Sequence, residues 1–275
     1  MASIANTPND LIDRLRAAVP AEFQVDGYLD AGGQGAVFLG RYQSQQSALK
    51  VFAPTHDQRR LEREVALLQK MNHPNVVKIQ TATTVVMNGA TCPLVAYEYL
   101  SGGDLRKHLT PAAPQLTKEQ ILTLGEEIAS AVEALWANRI VHRDIKPANI
   151  VDGATRNVLV DVGFARHVDR SNLTVVGQTA GTSGYMSPEQ AQGRRNLTLH
   201  SDIFSLGVTL YQLASRRHPF QQNQALIGLV SAPSLASFRP DLLPALTGLI
   251  DQMLAVVPAQ RPSNLAFRFA QLKLI

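Results

Sequence analysis

The stretch His142-Arg143-Asp144-Ile145-Lys146-Pro147-Ala148-Asn149 puts a carboxylate, an ammonium two residues on and a carboxamide three further on one short polar loop, with Pro147 fixing the turn. Ordinary loop composition rarely assembles such a set. Farther along, Asp161 in Val160-Asp161-Val162-Gly163-Phe164-Ala165-Arg166 is a candidate metal ligand. Toward the N-terminus, residues 30 to 40, DAGGQGAVFLG, hold Gly32, Gly33 and Gly35 between strand-like runs. With no Cβ in the way, backbone amides there can approach a phosphate chain, although such a turn alone is an ordinary hairpin. Lys50, in SALKVF, would face solvent on an isolated strand. Glu64 alters that balance, because on the following helix it shares the stripe of Leu61 and Leu68, where an unpaired carboxylate is costly. A Lys50–Glu64 ion pair would remove that cost and hold the ammonium toward a phosphate.

Positioning these groups takes two kinds of structure. GAVFLGRY and SALKVFA have the β-branched and aromatic content and the turn-forming flanks of an antiparallel pair. Leu61, Val65 and Leu68 predict a helix over residues 57 to 71, stopped by Asn72-His73-Pro74. NVVKIQTATTVV and CPLVAYEYL return to strand character before Ser101-Gly102-Gly103 marks a loop. A small, mostly β lobe with one helix therefore runs from about Ala31 to Tyr99. Beyond it, Thr117 caps a long helix with Ile121, Leu124, Ile128, Val132 and Leu135 on one face. SDIFSLGVTLYQLA and ALTGLIDQMLAVV predict two more apolar helices, the first buried nearly all round, and NIVD and VLVDV two short strands.

Composition narrows the class. A chain of 275 residues, 45% hydrophobic and 17% charged, is long enough for one large domain or two modest lobes. The single cysteine, Cys92, excludes an internal disulfide framework and a Cys-rich zinc site, and reads as a small core hydrophobe in a reducing, cytoplasmic setting. The N-terminal twenty residues carry Asp10 and Asp13 and no continuous apolar run, so they predict neither a signal peptide nor a membrane anchor. The 26 basic residues are dispersed and offset by 22 acids, which argues against a nucleic-acid partner.

At this level of detail the sequence resembles the eukaryotic-type (Hanks-type) Ser/Thr protein kinases, and VHRDIKPANIV and GTSGYMSPEQA are similar to their bacterial branch. The resemblance spans about residues 22 to 272, leaving 1–21 as an N-terminal extension. It implies the α+β, bilobal kinase fold: a small antiparallel β lobe with one main helix, about 22–99, and a larger, mostly α-helical lobe, about 100–272. It implies ATP and Mg²⁺, with Mn²⁺ as an alternative. Gly32, Gly33, Gly35 and Val37 would lie over ATP, Lys50 would contact the α- and β-phosphates, and Glu64 would hold Lys50. Val37, Ala48 and Val151 would sandwich adenine, Tyr97 would be the gatekeeper, Glu98 and Leu100 would offer backbone bonds, and Asp104 would lie near the ribose. Asp144 would accept the substrate hydroxyl proton, Lys146 would neutralise the transferring phosphoryl group, and Asn149 and Asp161 would hold the metal. Glu189, in Ser187-Pro188-Glu189, would pair with Arg261.

Three positions depart from the family pattern. Val162 replaces the Phe of Asp-Phe-Gly, which alters a packing role but removes no catalytic group. Asp30 stands where the first loop glycine is usual, and Ala148 where many relatives that prefer basic substrates carry Glu. Residues 161 to 189 form a whole activation segment, so a protein with a Ser/Thr acceptor is the expected substrate, and Lys146 and Thr182 resemble the Ser/Thr class. Arg143 and Arg166 would form a basic pocket for a phosphate on Thr174 or Thr179, with Ser171 behind them. An activating protein partner or dimerisation is a further route of control, with no membrane involved. Two rival readings are a pseudokinase or nucleotide-binding scaffold, favoured by Val162 and Asp30, and a small-molecule kinase.

Overall fold

The computed structural model describes residues 7–32, 35–54, 62, 65–66, 68–162, 182–194 and 196–275. The chain divides into two compact units, with the change from one to the other at Leu100 and Ser101 and with His73–Val76 belonging to the second.

The first unit is built on a five-stranded antiparallel sheet of β1 (Phe23–Gly32), β2 (Gly35–Tyr42), β3 (Gln45–Phe52), β4 (Ile79–Met87) and β5 (Ala90–Glu98), in the order β1-β2-β3-β5-β4. The expected pair is β2 and β3, with Val37 opposite Lys50. β1 precedes it and starts the sheet before the position at which strand character was expected. Central β3 is buried at Ser47 and from Leu49 through Phe52, and because successive side chains point to opposite faces, both faces of the strand are covered along that run. Of the helix expected over 57 to 71, Glu62, Val65, Ala66 and residues 68–70 are described and helical.

From Thr7 onward, the described part of the N-terminal extension is itself structured. Helix α1 (Pro8–Ala18) begins with a capping box: Asp10 N–H donates to Thr7 Oγ1 at 3.2 Å and Thr7 N–H donates to the Asp10 carboxylate at 3.1 Å. These bonds hold the exposed Asp10 carboxyl below the usual range. Leu11, Ile12 and the fully buried Leu15 pack against a sheet core of Phe23, Val25, Phe38, Leu49, Val85 and Leu94. Arg16 Nε donates to Val25 O at 2.9 Å and Arg14 to Asn88 at 3.0 Å.

The second unit is helical. In α2 (Lys118–Ala137) the five residues expected on one face are all buried, and Thr117 caps it by a box with Gln120. After the single turn α3 (Pro188–Ala191), α4 (Leu199–Ser215) is buried at every residue from Ser201 to Ala214, so it forms the centre of this unit. α5 (Pro244–Met253) and α6 (Leu265–Leu272) complete it, and Glu133 of α2 accepts the Leu265 N–H at 2.6 Å, capping α6 from outside. The hairpin of β6 (Ile150–Asp152) and β7 (Asn157–Leu159) carries the loops of interest. Of VLVDV, expected as a strand, Val158 and Leu159 pair with β6 and the ladder ends there, where β6 itself begins at Ile150; Asp161 beyond it is left-handed at φ 64°. Among the described residues no helix is long and apolar enough to cross a membrane.

Candidate active site

In the second unit, the loop between α2 and β6 is fixed by one buried acid. Asp202, in the first turn of α4 and 1% exposed, accepts the N–H of His142 and the N–H of Arg143, both at 2.8 Å. Burial pushes its carboxyl up, against the opposing pull of His142 and Arg143. Arg143 is left-handed at φ 69°, a strained conformation that these two bonds hold in place. Gln190 of α3 adds a bond from its Nε2 to Arg143 O at 2.7 Å.

His142 carries this order forward. Its Nδ1 accepts the Asp144 N–H at 3.3 Å, so its Nε2 is the protonated nitrogen and donates to Val160 O at 2.9 Å. Val160 N–H donates in turn to Asn149 O at 2.9 Å. Both polar groups of Val160 are thus tied to the 142–149 loop, and the next residue, Asp161, turns away left-handed. A buried histidine orients the two loops that carry the candidate base and the candidate metal ligands.

Asp144, 8% exposed, sits among donors. Asn149 Nδ2 reaches its carboxylate at 3.1 Å and its carbonyl at 2.8 Å, Lys146 Nζ lies 3.0 Å from its Oδ2, and Thr182 N–H approaches Oδ1 at 3.4 Å. Lys146 also donates to Thr182 Oγ1. Asp144, Lys146 and Asn149 therefore stand together, and Thr182, placed by the sequence among the regulatory residues, joins them.

A carboxylate and a carboxamide oxygen, from Asp161 and Asn149, are a donor set that suits a hard divalent cation whose other positions are filled by phosphate oxygens and water. Among the described residues no group of three or more His, Cys, Asp or Glu could hold a metal, so a closed protein cage of the zinc type is not on offer there.

In the first unit, β1 and β2 pair as far as Gly32 and Gly35, a hairpin in the Gly-rich segment. Gly35 has φ 145°, and a Cβ there would lie 2.0 Å from Val51 O, so no other residue fits. Asp30 uses its carboxylate to accept the Ala31 N–H at 2.8 Å. Lys50 is 8% exposed, with its ammonium 4.9 Å from the centre of the Phe52 ring. Ala48 is in register with Tyr97, which is buried; Glu98 exchanges two bonds with Lys78, both at 3.0 Å. Leu100 ends this unit.

Asp104, in the second unit, is engaged locally. Its carboxylate caps the turn Leu105–Leu109 and accepts from Arg106 N, Nε and Nη2 at 2.8 to 2.9 Å. Burial pushes that carboxyl up, but Arg106 outweighs it and holds it below the usual range. Asp104 also bridges to Val151. Val162 is buried at 2% exposure. Gly33, Glu64, Arg166, Ser171, Thr174 and Thr179 lie outside the described residues, and so does the Lys50–Glu64 pair.

The end of the segment is anchored as expected. Arg261 makes a two-pronged bond to Glu189, Nη1 to Oε1 at 2.6 Å and Nη2 to Oε2 at 2.9 Å, and Ser201 Oγ donates to the same carboxylate at 2.8 Å. Burial pushes the Glu189 carboxyl up, but these partners hold it down at about 2.

Fold and loop geometry together define a protein kinase, with a five-stranded antiparallel sheet in one lobe and a helical second lobe. The protein kinase domain family matches residues 23–272, and the chain belongs to that family. It is 32% identical over 267 residues to the serine/threonine-protein kinase pkn3 of Myxococcus xanthus, covering 88% of this chain and 48% of that protein. It is 36% identical over 214 residues to the serine/threonine-protein kinase PkaA of Streptomyces coelicolor, covering 75% of this chain and 38% of the other. The crystal structure of the Mycobacterium tuberculosis PknI kinase domain superposes with a TM-score of 0.72 at 25% identity, over 92% of this chain and 95% of that one. The chain spans less than half the length of these two kinases from Myxococcus and Streptomyces.

Proposed function

We propose that this chain is an active Ser/Thr protein kinase that transfers the γ-phosphoryl group of ATP to protein hydroxyls, its own activation segment among them. The observation that carries the reading is the grouping of Asp144, Lys146, Asn149 and Thr182 on one scaffold, with Asp161 set by the same hydrogen-bond chain.

Asp144 is the acceptor for the proton of a Ser or Thr hydroxyl. As that oxygen bonds to the γ-phosphorus, the bond to the bridging oxygen breaks and ADP leaves with the electron pair, while the proton passes to the carboxylate. Lys146, 3.0 Å from Asp144, is placed to offset the negative charge of the transferring group. Asn149 and Asp161 would hold Mg²⁺, which when bound neutralises charge on the triphosphate oxygens. Lys50 would bind the α- and β-phosphates with Glu64 as its partner, beneath Gly32, Gly33, Gly35 and Val37. Ala48, Val151 and the backbone of Glu98 and Leu100 would take adenine. The engagement of Asp104 by Arg106 argues that any ribose contact there competes with an existing ion pair.

Control would run through Arg143 and Arg166 as the receiver of a phosphate on Thr174, Thr179 or Ser171. The retention of every charged group favours transfer over the pseudokinase reading, since Val162 and Asp30 replace no catalytic group. The test is incubation of the purified chain with Mg²⁺, ATP and a generic protein acceptor, followed by phosphoamino-acid analysis. Phosphoserine or phosphothreonine that disappears on chelating the metal is the expected result. Nucleotide binding without transfer would move the reading to a pseudokinase, and transfer to small molecules alone to a small-molecule kinase.

A further inference from the structure

The segment that leaves the candidate base is held by a side chain far along the chain. Thr182 stands at Asp144 through its N–H and at Lys146 through its hydroxyl, and Tyr185 N–H closes a turn onto Thr182 O at 3.2 Å. Residues 182 to 185 therefore form a turn that begins at the carboxylate. In a protein acceptor, the residues flanking a hydroxyl placed at Asp144 must pass along this stretch.

Its backbone is satisfied by side chains rather than by a sheet or helix. Gly184 N–H donates to Gln224 Oε1 at 3.0 Å, and Gln224 Nε2 donates to Met186 O at 3.0 Å. Between them, Tyr185 O accepts from Ser205 Oγ of α4 at 2.8 Å. Gln224 thus uses both ends of one carboxamide to span two residues of the segment.

Gln224 has its own support. Gln221 and Gln222 are consecutive left-handed residues at φ 53° and 57°, a pairing that non-glycine residues adopt only when neighbours enforce it. His218 supplies the enforcement, its Nδ1 accepting from Phe220 N at 3.1 Å and Gln222 N at 3.0 Å. Asn223 then caps the turn Gln224–Leu226. The turn also packs directly on the segment: a Cβ at Gly184 would lie 3.1 Å from Gln222 Cα and from His218 Nε2, and Gly184 itself has φ 96°. The His218 ring stands edge-on to Tyr185 at 5.3 Å.

We propose that Gln224 is a positioning residue for the protein acceptor: its carboxamide holds Gly184 and Met186 so that the backbone beside Asp144 receives an extended peptide in one register. The inference rests on the kinase reading above and concerns acceptor binding, leaving ATP binding untouched.

The test compares wild type with Gln224→Met, which keeps the volume and removes both bonds, and Gln224→Glu, which can still accept from Gly184 N–H but cannot donate to Met186 O. Myelin basic protein serves as the acceptor, and amide hydrogen exchange reports on residues 183–187. In Gln224→Met, KM for the acceptor should rise about tenfold, the loss of one to two neutral hydrogen bonds, with KM for ATP unchanged and faster exchange at Gly184. Gln224→Glu should recover part of the protection and part of the KM. Unchanged exchange, an unchanged acceptor KM, or equal rises in both KM values would overturn the inference while leaving the kinase reading standing. No transfer by the wild type would refute the kinase reading and this inference with it.

Discussion

Asn149 donates through one amide nitrogen to both the carbonyl and the carboxylate of Asp144, at 2.8 and 3.1 Å. This fixes which end of the carboxamide faces the candidate base and leaves its oxygen as the donor for a cation. Exchanging that nitrogen for a second oxygen sets a like charge beside Asp144. Asn149→Asp should therefore push the Asp144 carboxyl up and move the acid limb of the kcat/KM profile to higher pH. An unmoved limb would mean that Asp144 is not the group titrating.

Asp202 acts through the loop rather than on the substrate. In Asp202→Asn only one acceptor oxygen remains for two N–H groups, so one buried donor is orphaned at a cost of about 1–3 kcal/mol. Denaturant unfolding should show that loss. The kcat should fall too, because His142 then no longer holds Val160 and Asp144 in register. Full activity in a destabilised variant would separate the anchor from catalysis.

Glu189 and Arg261 form a buried pair, so Arg261→Met should cost about 3–5 kcal/mol by stranding the carboxylate. The pH sign follows from the carboxyl held at about 2, below its unfolded value. Its stabilisation is complete above the ordinary glutamate range and is lost as pH falls through that range toward 2. Chemical denaturation at neutral pH and near pH 3 should show wild type losing more stability than Arg261→Met.

Leu15 is wholly buried between α1 and the sheet. Leu15→Ala should cost about 2–5 kcal/mol, the range for a buried leucine that leaves a cavity. A change below 0.5 kcal/mol, of the kind surface substitutions give, would mean that α1 adds little to the lobe.

Val162 occupies a closed site, 2% exposed. Restoring the bulk that relatives carry there, Val162→Phe, should destabilise by about 1–3 kcal/mol through overpacking. A rise in Tm would instead show an unfilled space.

Much of this was legible in the sequence for a physical reason: the base loop is one contiguous polar string, the apolar face of α2 repeats at helical spacing, and α4 is apolar nearly all round. What stayed hidden was of two kinds. Asp202 and Gln224 act on residues tens of positions away, and a lone acid in an apolar helix signals only that it needs a partner. Helix α1 announces itself solely through Thr7, Pro8 and Asp10, a capping signal easily passed over in a short extension. VLVDV is a strand only through Leu159; its β-branched composition continues to Val162, but the β6 partner begins at Ile150 and gives the later residues no strand to pair with. Arg166 and the three candidate phosphoacceptors rest on sequence alone.

The most direct measurement is incorporation of labelled phosphate from ATP by the wild type and by Asp144→Asn, with sites mapped by mass spectrometry and folding checked by thermal unfolding. Mg²⁺-dependent label on Ser or Thr, reduced by about 10²–10⁴-fold in a variant that still folds, is the predicted result. Equal incorporation by the two proteins, or none by a wild type that binds ATP, would contradict Asp144 as the base of an active protein kinase.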